Sequence, residues 1–424
     1  QMKNAGKNFL NILGLLIGGI LAGMLLLFTV YLLPQGKMQV HIQESVGLLE
    51  NEGDNPYLME GYKGSSLDNY TDAIMLANAG YQSKQPFYKA AMLVERKNTE
   101  EDEPVEWVKA SIEDQEDAPV VSYGRYWHGY LVLLKPLLVF LNYKEIRTLN
   151  GVFFVAVILL VCMFFVKRKM WGGMIAFGLA VMELFPMTIP CSMQFSSCFY
   201  ISTLALIGLL WKYEKLEEKN AIPIYFCGIG MLTSYVDFLT YPVITFGMPM
   251  IIIVVLAQKG ILEKLKRIIV CGISWCVGYA GMWGGKWLIG TFVTGSNFLA
   301  EAVGMVKLRT SHETYDGNLN AWQAITRNWD ILNNGYGKLL IGVLIVWVVA
   351  SVLLIKVVWK KNLHAVNSIL LIMLAFLPIA WYCVTVNHSY IHYWYTFRGL
   401  AVFVFALGMI PEMLYRSEET EERP

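Results

Sequence analysis

Two aspartates one helical turn apart, Asp68 and Asp72, stand in the stretch Ser65-Ser66-Leu67-Asp68-Asn69-Tyr70-Thr71-Asp72, just ahead of the apolar run Ala73-Ile74-Met75-Leu76-Ala77. On a helix capped by Ser65 or Ser66 both carboxylates would share one face, where like charges cost stability unless a cation is near. Such a pair can take a proton from a hydroxyl, or hold a divalent ion such as magnesium or manganese. The same residues also read as the opening turn of a helix, where carboxylates suit the dipole.

Three cationic and aromatic clusters could face them. Tyr123-Gly124-Arg125-Tyr126-Trp127-His128-Gly129-Tyr130 sets Arg125 and His128 among rings that belong at a membrane interface, or around a sugar and its phosphate. The segment from Asn387 to Arg398 carries His388 and His392 four apart, then Tyr395 and Arg398. The histidines could bind a metal, although no carboxylate stands beside them as in a hydrolase motif. Arg398 opens an apolar run, where an unpartnered guanidinium is costly and its planar fork suits phosphate. Lys307, Arg309 and His312 could complete an anion site with Arg398 or be solvated surface. Glu183, Asp237 and Lys286 fall in or beside apolar runs, where they either pair or line a pathway.

The elements that must position these residues are membrane helices. Hydrophobic residues make up 56% of the 424 and charged residues 16%, against about half and a quarter in soluble domains. Ten apolar runs approach the ~20 residues needed to cross the hydrocarbon core: 9–33, 152–166, 174–189, 195–211, 222–236, 243–257, 268–289, 339–358, 369–386 and 400–414. The first is too long for the apolar part of a signal peptide. An eleventh stretch, 130–141, is short and interrupted by Lys135-Pro136. If it does not cross, Lys167-Arg168-Lys169, Lys212–Lys219, Lys259–Arg267 and Lys356–Lys361 all fall on the cytoplasmic side with the N-terminus, as the positive-inside rule requires. It is therefore expected to lie on the outer surface. The resulting fold class is all-α integral membrane, with about ten transmembrane helices and both termini cytoplasmic. A large acidic outer loop spans 34–150, a second spans 291–337, and a short tail follows 415. The seven cysteines lie in or beside apolar runs and none in the large loop, which argues against a disulfide framework. Nothing is basic and extended enough for nucleic acid. Short basic inner loops point to a bacterial plasma membrane.

This order of elements resembles the GT-C superfamily of glycosyltransferases, and within it protein O-mannosyltransferases and lipid A aminoarabinose transferases. Those begin with one span, then an outer loop with an acidic helix, then a surface helix and a segment with an Arg entering the second span. Here Asp68-Asn69-Tyr70 stands in the acidic position, 126–141 in the surface helix, and Leu141-Asn142-Tyr143-Lys144-Glu145-Ile146-Arg147 before the second span. Asn69 replaces the usual Glu. The resemblance implies a polyprenyl-phosphate sugar as donor and a cell-envelope glycan, lipid or protein as acceptor. It implies Asp68 as base toward the acceptor hydroxyl, with Asp72 orienting it. Arg398, with Lys307 or Arg309, would stabilise the leaving phosphate, and Arg125, His128, His388, His392 and Tyr395 would surround the donor. Two other classes fit the residues: a transporter or flippase using Glu183, Asp237 and Lys286, and a non-catalytic scaffold that tolerates loss of Asp68 and Arg398.

Overall fold

The computed structural model describes residues 2–100, 103–314, 317–358 and 365–419, and helix accounts for 77% of the chain. Lys360 and Lys361 of the last basic cluster and the end of the tail lie outside the described residues. The first helix is α1 (Met2–Val30). The region between the first two long helices follows with α2 (Gln35–Glu52), α3 (Asn69–Gly80), α4 (Phe87–Leu93), α5 (Pro104–Glu113) and α6 (Leu131–Leu138). Next come α7 (Tyr143–Lys167), α8 (Trp171–Glu183), α9 (Thr188–Cys191), α10 (Met193–Glu218), α11 (Ile222–Val236), α12 (Val243–Leu256) and α13 (Ile261–Thr294). After these lie α14 (Phe298–Arg309), α15 (Ala321–Trp329) and α16 (Gly335–Leu353). The chain closes with α17 (Ser368–Ala375), α18 (Leu377–Val384), α19 (Val386–Ile391), α20 (Tyr393–Thr396), α21 (Ala401–Gly408) and α22 (Ile410–Glu419). Among the described residues sheet is confined to two antiparallel pairs, β1 (Glu95–Lys97) with β2 (Val120–Ser122) and β3 (Glu313–Thr314) with β4 (Gly317–Asn318).

Among the described residues six helical stretches are long and apolar enough to cross a membrane: Leu10–Val30, Tyr143–Lys167, Met193–Glu218, Ile261–Thr294, Gly335–Lys356 and Tyr393–Arg416. Four shorter apolar helices, Trp171–Glu183, Ile222–Val236, Val243–Leu256 and Ser368–Val384, lie among them. Every apolar run read from the sequence overlaps at least one helix, although the run 174–189 is broken between α8 and α9 and the run 369–386 is divided among α17, α18 and α19, and the chain is a multi-pass membrane protein. The second long helix starts at Tyr143 rather than 152 because Asn142 and Glu145 form a capping box, which satisfies two first-turn amides ahead of the apolar residues. The stretch 130–141 forms only the eight-residue α6.

α11 and α13 approach closely because glycines meet carbonyls. A Cβ at Gly230 would lie 2.1 Å from the Trp275 carbonyl oxygen, and one at Gly278 would lie 2.1 Å from that of Cys227. Small residues set such contacts where lipid removes the hydrophobic drive between helices. At one end of the bundle the basic clusters gather. Arg168 grips Glu214 through both nitrogens at 2.6 and 2.8 Å, Lys259 reaches Glu217 at 2.7 Å, and Arg416 donates to the Arg168 carbonyl at 2.6 Å. At the opposite end the region 35–138 docks on the helices. Gly129 N–H donates to Tyr235 O at 2.8 Å, and Trp127 Nε1 donates to Met282 O at 2.6 Å. Two buried lysines close helix ends there: Lys286 Nζ donates to Met92 O at 2.8 Å and Lys135 Nζ to Ala79 O at 2.9 Å. An ammonium at the negative end of a helix is favourable, so neither needs a carboxylate.

Candidate active site

The cap of α3 is Asp68 itself, not Ser65 or Ser66. Its Oδ1 accepts the Thr71 N–H at 2.9 Å. Ser65 Oγ instead donates to the Tyr62 and Met59 carbonyls of its own turn, at 2.7 and 3.0 Å. Asp68 is fully buried and its Oδ2 has no hydrogen-bond partner. Burial pushes its carboxyl up to about 7, with the Thr71 amide pulling down and the neighbouring Asp72 pushing further up.

Asp72, one turn on, is equally buried, but both its oxygens are engaged. Oδ2 accepts from the Tyr143 hydroxyl and from Met193 N–H at 2.8 Å, and Oδ1 accepts from Gln194 N–H at 3.1 Å. Those two amides open α10, whose own cap residue, Ser192, leaves its hydroxyl unbonded. Asp72 therefore caps a membrane helix from outside its sequence. Beside it Arg147 donates to both Glu52 oxygens at 2.9 and 2.8 Å and to Asn69 Oδ1 at 2.6 Å, while Asn69 Nδ2 returns to Glu52 at 2.9 Å. Asp68 Oδ2 is the one free carboxylate oxygen of the pair, so a metal ion gains a single ligand there. No group of three His, Cys, Asp or Glu suited to an ion converges among the described residues.

Arg398 does not snorkel. It is fully buried, and donates to Trp394 O, Gly64 O and Thr188 Oγ1 at 3.2, 3.1 and 3.2 Å over the face of Phe195. It clamps the turn before Asp68 onto the membrane helices, and only its Nε is unpartnered. Near it lies Glu183, buried with neither oxygen bonded, and the unbonded hydroxyl of Tyr62.

The cation best placed for an incoming anion is Arg309, at the end of α14. It is half-buried and lines a cleft of about 130 Å³ walled by Tyr126, Tyr279, Trp283, Trp287 and Trp381, which Arg125 also lines. Tyr279 Oη and Trp283 Nε1 are buried without partners. Tyr395 is buried within electrostatic reach of both Asp68 and Arg309.

The other expected residues divide. Arg125 pairs with Glu301 at 2.7 Å and stacks on Tyr123. His128 is buried in a left-handed backbone turn, its Nε2 2.7 Å from Tyr123 O and its Nδ1 3.3 Å from the Tyr130 hydroxyl; it holds the aromatic segment. His388 sets Nε2 2.7 Å from Leu239 O, and His392 stacks on Tyr395. Burial, with the charge of Arg309 helping, pushes His392 down to about 3, and burial followed by His392 and Arg309 pushes His388 well below the imidazole range. Lys307 is exposed and off the cleft wall, and His312 sits 3.2 Å from Leu319 O.

The aromatic wall of the cleft on α13 was missed from sequence, although Trp275, Tyr279, Trp283 and Trp287 recur every four residues with successive ring centres 4.7, 4.7 and 6.0 Å apart, the last three lining the cleft. That period places all four on one helix face. Comparisons with protein-family models, with curated proteins and with solved structures found no match for the chain.

Proposed function

We propose that this protein is a membrane glycosyltransferase that moves a sugar from a polyprenyl-phosphate donor to a cell-envelope acceptor at the outer face of a bacterial plasma membrane. In this reading the chain crosses ten times. The basic end of the bundle faces the cytoplasm and the end holding Asp68 faces outward. The gathering of Arg168, Lys259, Arg267 and Arg416 at one end supports that orientation.

One observation carries the proposal: Asp68 keeps a free, buried carboxylate oxygen with an acidity near neutral, while Asp72 beside it is fully engaged. A base poised near the working pH is what hydroxyl activation needs. The acceptor oxygen would attack the anomeric carbon as its proton passes to Asp68 Oδ2. The bond from that carbon to the phosphate oxygen would break, its electron pair leaving on the lipid phosphate. Arg309 would hold that phosphate in the aromatic cleft, where developing charge is worth most to stabilise. Arg398 would act by position, fixing the turn 62–68. Asp68 is closed from solvent here, so the acceptor enters by displacing the residues over it.

The test is transfer by purified protein from a panel of polyprenyl-phosphate sugars, with Asp68→Asn and Arg309→Ala beside the wild type. Donor-dependent turnover lost in Asp68→Asn and weakened through KM in Arg309→Ala is the expected result. Full turnover in Asp68→Asn removes the assignment. A second reading has one observation in its favour: Glu183 lies unbonded on an apolar helix, as pathway carboxylates of transporters do. Movement of labelled lipid across liposomes, lost in Glu183→Gln and without turnover, would favour it.

A further inference from the structure

A second cleft, of about 440 Å³, opens between the turn that precedes Asp68 and the start of α16. Gly61, Lys63, Arg327, Asp330, Asn333 and Tyr393 are on its walls. Lys63 Nζ lies 3.1 Å from the Tyr393 hydroxyl, and the Arg327 guanidinium stands 4.2 Å from the centre of the same ring and 4.1 Å from that of Tyr390. Two like charges thus share one phenol. Among the described residues neither takes part in an ion pair, Asp330 included. With Asp330 as the one carboxylate on the wall the cleft keeps a net positive charge, and an anion between the two cations removes their mutual repulsion. Lys supplies a point charge and Arg a planar fork, the pairing that suits a phosphate.

The depth of the cleft identifies the source. It sits where α16 and the helix from Tyr393 begin, both long and apolar enough to cross a membrane. Just beyond it Leu339, one turn into α16, is 67% exposed, and Trp322 on the amphipathic α15 is 68% exposed. Apolar side chains left bare there face hydrocarbon, and tryptophan belongs at the interface. The two cations therefore stand at headgroup level.

We infer that this cleft binds the phosphate headgroup of an anionic membrane phospholipid, with Asn333 facing the headgroup's hydroxyls. The occupant would act on the candidate active site through the chain. Lys63 precedes Gly64, whose carbonyl Arg398 holds at 3.1 Å, and Asp68 follows four residues later. A bound headgroup stiffens that turn. The inference stands whether or not the protein transfers sugars.

The experiment compares thermal unfolding of the full chain in nanodiscs of phosphatidylcholine and of phosphatidylglycerol, with native mass spectrometry of retained lipid. Phosphatidylglycerol should raise the wild-type midpoint by about 3 °C and stay bound. The exposed-site double variant Lys63→Ala/Arg327→Ala should lose that shift, and Lys63→Arg/Arg327→Lys should keep most of it. The same shift from inorganic phosphate in phosphatidylcholine discs would overturn the lipid assignment in favour of a soluble phosphate. An undiminished response in the alanine double variant would overturn the site.

Discussion

The two aspartates of α3 stand one turn apart, are equally buried, and sit in opposite surroundings. Around Asp72 both carboxylate oxygens are taken: Tyr143, Met193 and Gln194 converge on them, and Arg147, Glu52 and Asn69 form a second ring beside it, with Arg147 Nε and Ser192 Oγ left unbonded. Around Asp68 the polar groups are left open, with Asp68 Oδ2, Arg398 Nε, Tyr62 Oη and both Glu183 oxygens unbonded. Buried polar atoms are nearly always satisfied in folded proteins. An aspartate with both oxygens engaged beside one with an open oxygen therefore separates a fastening from the position that the proposed reaction would use. The same contrast divides the arginines, since Arg398 is used by protein carbonyls and Arg309 faces a cleft.

The sharpest way to break this comparison is to exchange each carboxylate. Asp68→Asn should lower transfer by at least about 100-fold, the usual contribution of a positioned base, without loss of fold. Its stability effect has a defined sign. The Asp68 carboxyl is raised to about 7, whereas the unfolded chain ionises near 4. Between those values the unfolded state releases the proton first, so wild-type stability falls as pH rises through that window and stays lower above it. Asp68→Asn removes this dependence, which unfolding in detergent across that window would read. A steeper loss of stability with rising pH in the variant would contradict the raised carboxyl.

Asp72→Ala should do the reverse. It leaves three buried donors without acceptors, at about 3 kcal/mol in all, and activity should fall only as far as folded protein is lost. A variant that stays folded yet inactive would assign Asp72 to the chemistry. Arg147→Met should cost roughly 2 kcal/mol by stranding Glu52 and Asn69, seen as a lower unfolding midpoint with KM unchanged. The smallest effect is expected at Tyr279→Phe. It removes an unbonded hydroxyl, so stability should hold while donor KM rises about tenfold, the worth of one hydrogen bond to a charged group. An unchanged KM would detach the aromatic cleft from the donor.

Much of the helical framework was legible, because apolar runs announce membrane helices whatever packs against them. The Asn142–Glu145 box even marks where α7 begins. The aspartate pair was legible as a helix start, but which residue caps it was not, since Ser65, Ser66 and Asp68 all qualify locally. What remained hidden is long-range. Nothing near Asp72 in sequence says that its acceptors serve amides 121 and 122 residues away. Nothing near Arg398 says that it serves a carbonyl 334 residues back. Backbone partners carry no residue-type signal, so a buried arginine reads alike whether it awaits a phosphate or already holds the chain. The four-residue aromatic register on α13 was open to reading and marks the cleft better than the histidines did.

The most direct test of the account is the pH–rate profile of sugar transfer by wild type beside Asp68→Asn at saturating donor. Wild-type turnover rising through a single ionisation near neutral pH, with the variant slow and flat, is the predicted result. A wild-type rate indifferent to pH across that range, or a variant that follows the wild-type curve at comparable speed, would contradict Asp68 as the base.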